Sequence, residues 1–497
     1  MIAQPLTLGR GIAAAAARQP GKIAVRFGTR AICYAQLLRS IAGIAAWLER
    51  EHGIGPGDNV VLIGRNSPEF IALLVAVANL GGASALVNPR LAGPEIAAIV
   101  ADSGARLVIA DDDPGAALDL PVHALGDVAA AGEQISAAFV DRGEELRPFA
   151  LHYTSGTTGL PKGVPISHRS RVLSFLGMAS EYGCYGPDDH FLAVAPLCHG
   201  AGLAFALAPL YTGGTVTLVD QFEPDVVAGL IGPEITGLFL VPTHFRRIFE
   251  LPAAAQDALR DNRLKALISN AAPLPQSDKE RVIDLFGEGR LYECYGATES
   301  GIITNLRPEM HRLKHNCVGT PFVATEVELR DDAGNPVADD AVGELFSRSP
   351  YLFDGYWRRA DESAEAIHDG WVSVGDLARR DGDGFYYIVD RKKDMILSGG
   401  MNIYPREIEA VLLQHDAVAD AAVVGLADAD WGETVHAEIV LAEGRTVSAD
   451  ELTALCRAQL AGYKLPRSMN LAGTIPRNSN GKVLKREIRA RIEAERR

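Results

Sequence analysis

Short runs rich in valine, isoleucine and leucine alternate with longer alanine- and leucine-rich stretches through the first two-thirds of the chain, and no other feature constrains the fold as tightly. NVVLIG is followed by a helical pattern after Ser67, then by SALVN, a helical pattern from Ala92, and RLVIA. Continuous apolar strands separated by helices predict βαβ units and a parallel sheet between helix layers. Two uncharged stretches, residues 70–87 and 191–219, reach membrane-spanning length. The first has a helix start at Ser67-Pro68-Glu69 and a stop at Gly81-Gly82, and the second contains Pro196, Gly200, Gly202, Pro209, Gly213 and Gly214. Such breakers fit buried strand, helix and strand better than a span.

Later segments change character. TEVELRDD, VGELFSRS and GFYYIVDR are alternating or glycine-bounded strands with Asp-Gly turns, which suit an antiparallel subdomain. After Asp390 a charged stretch, RKKD, leads into an α+β tail with a helix from Pro405 and strands at AAVVGL and HAEIVL. At 497 residues and 47% apolar composition the chain is expected to form two or more domains. A net charge of -15 argues against a nucleic-acid or anionic-membrane surface. The six cysteines form no C-x-x-C pair, so neither a zinc site nor a disulfide framework is indicated. Arg10 and Arg18 bracket the alanine run near the N-terminus too closely for a signal peptide. A cytoplasmic protein without integral membrane contact is the expectation.

Two apparent motifs carry little weight. Gly9-Arg10-Gly11 with Ala14 fits a dinucleotide fingerprint but follows no strand, and LGGAS around Ser84 lies between a buried helix and a buried strand. The informative segment is TSGTTGLPKG, residues 154–163, where four hydroxyls, three glycines and one lysine could surround a triphosphate. It departs from the P-loop pattern, because Leu160 and Pro161 precede Lys162, and Gly163 stands where Ser or Thr would hold magnesium.

This loop resembles that of the adenylate-forming superfamily of acyl-CoA synthetases, luciferases and peptide-synthetase adenylation domains. The resemblance continues in the family order through APLCHGAG, VPTHF, YGATES, SVGDLARRDGDGFYYIVDRKKDMILSGGMNIYPREIE and PRNSNGKVLKRE. It implies an α/β fold: a large N-terminal domain of layered α/β subdomains plus a β-barrel-like subdomain, and a small mobile α+β C-terminal domain. The implied boundaries are 1–391 for the ATP- and acyl-binding domain, 392–393 for a hinge at Lys393, and 394–497 for the mobile domain. Substrates would be a small carboxylic acid, ATP with Mg2+, and coenzyme A; a homodimer is compatible with the family.

By the same resemblance Thr154, Ser155, Gly156, Thr157, Thr158, Gly159 and Lys162 hold the β- and γ-phosphates. Thr298 contacts the α-phosphate and Glu299 carries magnesium, which usually takes one or two carboxylates beside substrate phosphates. Tyr295 and Gly296 lie against adenine, with Asn270, Ala271, Ala272 and Pro273 along its edge; Asn270 departs from the glycine of many relatives. Asp376 takes the ribose hydroxyls beside Arg391, and Lys482 bridges the substrate carboxylate and the α-phosphate. A hinge rotation then brings Ser398, Gly399, Gly400 and Met401 to the site for thiol transfer. NPRL and DADWGETV extend the resemblance to chlorobenzoate- and benzoate-type CoA ligases, implying CoA contacts at Arg90 and Trp431, although Leu465 replaces a basic residue of that pattern.

The implied acyl pocket is Phe175, His199, Gly200, Ala201, Cys294 and Gly301, with His199 flanking the acyl group. None of these offers a buried cation for a second carboxylate, and Arg246 and Arg247 are expected to face solvent. Aryl or cyclic acids are therefore the expected substrates, with medium-chain fatty acids as the alternative. A stand-alone adenylation enzyme or a luciferase-like oxygenase would share the first step, while a non-catalytic binding module would have no reason to keep Lys482, Glu299, Asp376 and Lys162 together.

Overall fold

The computed structural model describes residues 5–115, 118–154, 161–477 and 483–495. It divides into two compact units, one of residues 1–327 and 347–372, the other of residues 328–346 and 373–497.

The first unit contains the predicted βαβ repeats, arranged in two sheets. In the six-stranded sheet Asn59–Ile63 lies between Ala83–Val87 and Leu107–Ala110, all parallel, and Pro148–Thr154 joins beyond Ala83–Val87. Lys162–Ser167 closes one edge by pairing antiparallel with Pro148–Thr154. The nine-stranded sheet has a parallel centre that includes Leu291–Ala297, Ala266–Ser269, Gly237–Leu240, His190–Ala193 and Thr215–Leu218, with antiparallel strands at both edges.

Both long apolar stretches fold as interior elements. Helix Pro68–Asn79 starts where Ser67 Oγ accepts the Phe70 N–H at 3.1 Å, a cap of about 1 kcal/mol, with Pro68 at the first helical position. It is buried nearly all round, which explains its uninterrupted apolar sequence. Residues 191–219 form strand His190–Ala193, helix Gly200–Thr212 and strand Thr215–Leu218. Pro209 lies inside that helix, near its end; Thr212 Oγ1 bonds the carbonyls of Ala208 and Pro209 at 3.0 and 3.1 Å where the helix terminates. No helix among the described residues is long and apolar enough to cross a membrane.

The second unit takes in most of the antiparallel strands Gly343–Arg348, Trp371–Arg380 and Tyr386–Arg391. Its tail has a sheet in which Val418–Asp428 and Gly432–Leu441 form a long hairpin, flanked by Ile396–Ser398 and by Ser468–Leu471. Helices Pro405–Leu412 and Ala449–Gln459 cover it over a core that includes Ile408, Val423, Ala437 and Cys456.

Candidate active site

Of the phosphate-loop segment, Thr154 ends one strand and Lys162 begins the next, and the two are paired in register. Ser155, Gly156, Thr157, Thr158 and Gly159 lie outside the described residues, as does Lys482. Lys162 forms an ion pair with Glu362, and its ammonium stands 5.1 Å from the centroid of the Tyr356 ring. The Tyr356 hydroxyl donates to Glu299 Oε1 at 3.0 Å. Burial, with Glu299 beside it, pushes the Tyr356 hydroxyl well above the usual phenol range, so it stays protonated as a donor. A lysine, a tyrosine and a carboxylate from three distant sequence segments thus form one connected string. Glu362 and Tyr356 were not singled out by the sequence; their signal was only the run of charges and aromatics after Phe353.

Glu299 and Thr298 sit in the tight connection between strands Leu291–Ala297 and Gly301–Leu306. That connection requires glycine: a Cβ on Gly296 would stand 1.9 Å from the Gly301 carbonyl oxygen, and Gly301 itself has φ +69°. The Thr298 side chain faces the start of helix Gly200–Thr212, where a Cβ on Gly200 would be 3.7 Å from it. His199 caps that helix in extended conformation, and Asn88 Nδ2 lies 3.3 Å from its Nε2. Burial and the nearby Arg90 charge hold His199 down to about 4, so it is neutral at physiological pH. Asn88 Oδ1 also accepts the Arg90 N–H at 2.9 Å, tying the NPRL segment to His199.

Near the proposed adenine edge, Asn270 Nδ2 donates to Cys294 Sγ at 3.0 Å and its Oδ1 accepts from Ala271 N–H. Ala271 has φ +75°, a left-handed conformation that costs an alanine of order 1 kcal/mol or more, and Ala272 and Pro273 continue the turn. Tyr295 lies opposite Thr304 at a register shift in the strand pair.

The acyl-pocket candidates fall on separate elements of the same unit. Phe175 is buried on helix His168–Tyr182 with its ring 5.7 Å from Tyr211; Cys294 is buried on its strand; Gly200 and Ala201 open their helix. Arg246 pairs with Asp278 at 3.2 Å and is partly exposed, and Arg247 pairs with Glu223 at 3.4 Å and is exposed. Arg171, one helical turn before Phe175, is partly buried, with its Nε enclosed.

In the second unit Asp376 and Arg391 are cross-strand partners, with Arg391 Nε 3.5 Å from Asp376 Oδ1. Lys393 lies in the short turn Lys392–Asp394, while Lys392 is fixed by Asp332 and Glu344, both at 2.9 Å. Ser398 and Met401 face each other across a two-residue turn in which Gly399 and Gly400 have φ +56° and +79°. The Gly399 N–H donates to the Trp431 carbonyl at 2.8 Å, and a Cβ on Gly399 would stand 2.7 Å from the Trp431 ring. Trp431 is 44% exposed and carries the Arg467 guanidinium 4.2 Å above its ring. Arg467 thus supplies, two positions on, a positive charge that Leu465 lacks; sequence reading passed over it.

Comparison with known proteins gives the family. The family model "AMP-binding enzyme" matches residues 12–357, and "AMP-binding enzyme C-terminal domain" matches residues 407–482. A feruloyl-CoA synthase of Amycolatopsis sp is 36% identical over 492 residues, covering 95% of this chain and 96% of that protein. A 2-succinylbenzoate--CoA ligase of Geobacillus kaustophilus is 33% identical, with 95% and 96% covered. Among solved structures, the o-succinylbenzoate CoA synthetase of Bacillus subtilis, in complex with its acyl-adenylate intermediate, matches with a TM-score of 0.87 at 28% identity, covering 98% of each chain. The chain belongs to the AMP-binding enzymes of the adenylate-forming superfamily, and within them it is similar to acid–CoA ligases.

Proposed function

We propose that this protein is an ATP-dependent carboxylic acid–CoA ligase that forms an acyl adenylate and then a thioester, and that its acid is aryl or cyclic. The observation that carries the reading is the Lys162–Tyr356–Glu299 string in the unit where Thr298 faces the opening turn of the His199-capped helix. It gathers a cation, a hydroxyl and a carboxylate suited to a polyphosphate and its cation.

In the first step a carboxylate oxygen bonds to the α-phosphorus of ATP as the bond to pyrophosphate breaks, so neutralising negative charge is the main demand. Thr154, Lys162 and the loop residues 155–159 hold the outgoing phosphates, Thr298 the α-phosphate, and Lys482 the two reacting anions. Lys162 must exchange its Glu362 partner for a phosphate oxygen. Glu299 would hold magnesium, which usually takes one or two carboxylates beside substrate phosphates. When bound it supplies charge neutralisation. Tyr356, donating to one Glu299 oxygen, fixes the carboxylate's orientation. Asp376, oriented by Arg391, receives the ribose hydroxyls. Neutral His199 flanks the acyl group without adding a charge.

In the second step the CoA thiol attacks the acyl carbonyl and AMP leaves. Gly399 and Gly400 let a pantetheine arm run against backbone, with Ser398 beside it, while Trp431 with Arg467, and Arg90, suit the adenine and phosphates of CoA. The domain boundaries 1–391 and 394–497, with a hinge at 392–393, are part of this reading. The aryl preference is supported by the apolar or small pocket residues and by relatives named for feruloyl- and succinylbenzoate-CoA. Pyrophosphate release across acetate, malonate, benzoates, cinnamates, octanoate and palmitate, followed by CoA-dependent thioester formation, tests it. An optimum at acetate, malonate or palmitate refutes the acid class, and AMP release without thioester refutes the ligase.

A further inference from the structure

Strand Ser468–Leu471 is short and lies at the edge of its sheet, paired in parallel with Gly432–Leu441. Apolar alternation normally fixes a strand's register, because a slip of one residue turns every side chain to the other face. Here that signal is weak. Met469 packs against the core that includes Val435 and Ala437, but Leu471, the second apolar residue, is 63% exposed. The other face is polar: Ser468 and Asn470 stand opposite His436 and Glu438, which are 2% and 1% exposed.

The four side chains on that face are joined. His436 Nδ1 lies 2.7 Å from Ser468 Oγ, and its Nε2 lies 3.0 Å from Glu438 Oε1. Asn470 Nδ2 donates to the same carboxylate oxygen at 3.3 Å, and Arg491, on helix Lys485–Glu495, donates to Oε2 at 2.6 Å. A carboxylate only accepts, so His436 donates to it through Nε2 and keeps Nδ1 for the serine hydroxyl. A slip of one residue would turn Ser468 and Asn470 outward and take hydrogen-bond partners from two buried polar groups. That cost specifies the register where apolar patterning does not.

Arg467 immediately precedes this strand. Its N–H donates to the Val435 carbonyl at 2.9 Å, and its guanidinium lies 4.2 Å from the centre of the Trp431 ring. One residue of slip displaces a strand by about 3.3 Å, most of that stacking distance, so the arginine covers the ring in a single register. We propose that His436 and Glu438, through Ser468 and Asn470, are positioning residues that set the register of this edge strand and so hold Arg467 over Trp431 for the nucleotide of CoA. The inference rests on the reading of Trp431 and Arg467 as CoA contacts and adds what aligns them.

The test measures KM for CoA in thioester formation, with whichever of the benzoates, cinnamates or fatty acids turns over fastest, and compares it with pyrophosphate release without CoA. Arg467→Ala is expected to raise KM for CoA about tenfold. Ser468→Ala and Asn470→Ala should each raise it about three- to tenfold, the range for one hydrogen bond, with kcat and CoA-free pyrophosphate release changing by less than about twofold. Ser468→Thr, which keeps the hydroxyl and suits a strand, should recover most of the loss. In the Arg467→Ala background, Ser468→Ala should add less than about twofold, because the serine acts through the arginine. Full additivity of the two changes, an unaltered KM in both Ser468→Ala and Asn470→Ala, or an equal loss of CoA-free pyrophosphate release would overturn the inference and leave the CoA contacts standing. An unaltered KM in Arg467→Ala would overturn the placement of CoA on Arg467, and the inference with it.

Discussion

At the scale of single residues, the pairing of Lys162 with Glu362 has a direct consequence for ATP. A carboxylate holding the ammonium must be displaced before a phosphate oxygen can take its place, and both side chains are too shielded for solvent to screen the pair fully. Glu362→Gln is expected to tighten ATP binding by about three- to tenfold, as measured by titration calorimetry and by KM for ATP. Weaker binding would show instead that Glu362 positions Lys162. Lys162 itself was legible from its motif, because hydroxyls, glycines and lysine at that density suit a triphosphate. Glu362, Tyr356 and Arg467 were not, since each becomes informative only when the fold brings it to a partner more than fifteen residues away in sequence.

The elements were more legible than the contacts between them. The helix after Ser67 announced itself by cap, proline and apolar length, and the stretch 191–219 resolved into the strand, helix and strand that its glycines and prolines indicated. Helix Gly200–Thr212 nevertheless runs through Pro209, because that residue falls near its end. The hairpin Ile396–Ser398 to Met401–Ile403 was not among the strands read from the sequence, and the reason for Gly399 is tertiary: positive φ and the Trp431 ring both exclude a side chain. Gly399→Ala should therefore displace Trp431 and raise KM for CoA by about tenfold or more, at a strain of order 1–2 kcal/mol. Adenylation, measured as pyrophosphate release without CoA, is expected to change by less than about twofold. Equal loss in both assays would remove the hairpin from the thioester step.

For the whole molecule, two reactions on one chain imply that mutations can separate them. Lys482→Ala is expected to slow acyl-AMP formation by about two to three powers of ten while sparing thioester formation from supplied acyl-AMP. Lys393→Pro, in the turn where Lys392 is fixed by two carboxylates, should do the reverse, because proline restricts the backbone dihedral that the proposed hinge needs. Equal impairment of both steps in both variants would refute a two-conformation mechanism. Stability should depend on pH for a separate reason located in the first unit. His168, His199 and His244 are held down to about 4 and His152 and His311 to about 3, in each case chiefly by burial. Each binds a proton more readily in the unfolded chain, near pH 6.5, than in the folded one. Their stabilising effect is therefore complete above about pH 6.5 and is lost progressively as pH falls towards 4 and then 3, by at most ~1.4 kcal/mol per residue for each pH unit. Five such groups acting together should cost of order several kcal/mol by pH 5.5. The midpoint of thermal unfolding is expected to be flat between pH 7 and 8.5 and to fall steeply below pH 6, with proton uptake on unfolding at pH 5.5 measurable by calorimetry in two buffers of different ionisation enthalpy. Replacing His311, whose Nε2 lies 2.9 Å from the Leu291 carbonyl oxygen, by Gln keeps a donor there and removes one titrating group. The variant should take up about one proton fewer; an unchanged uptake would mean that these histidines titrate alike in both states and that the acid sensitivity arises elsewhere.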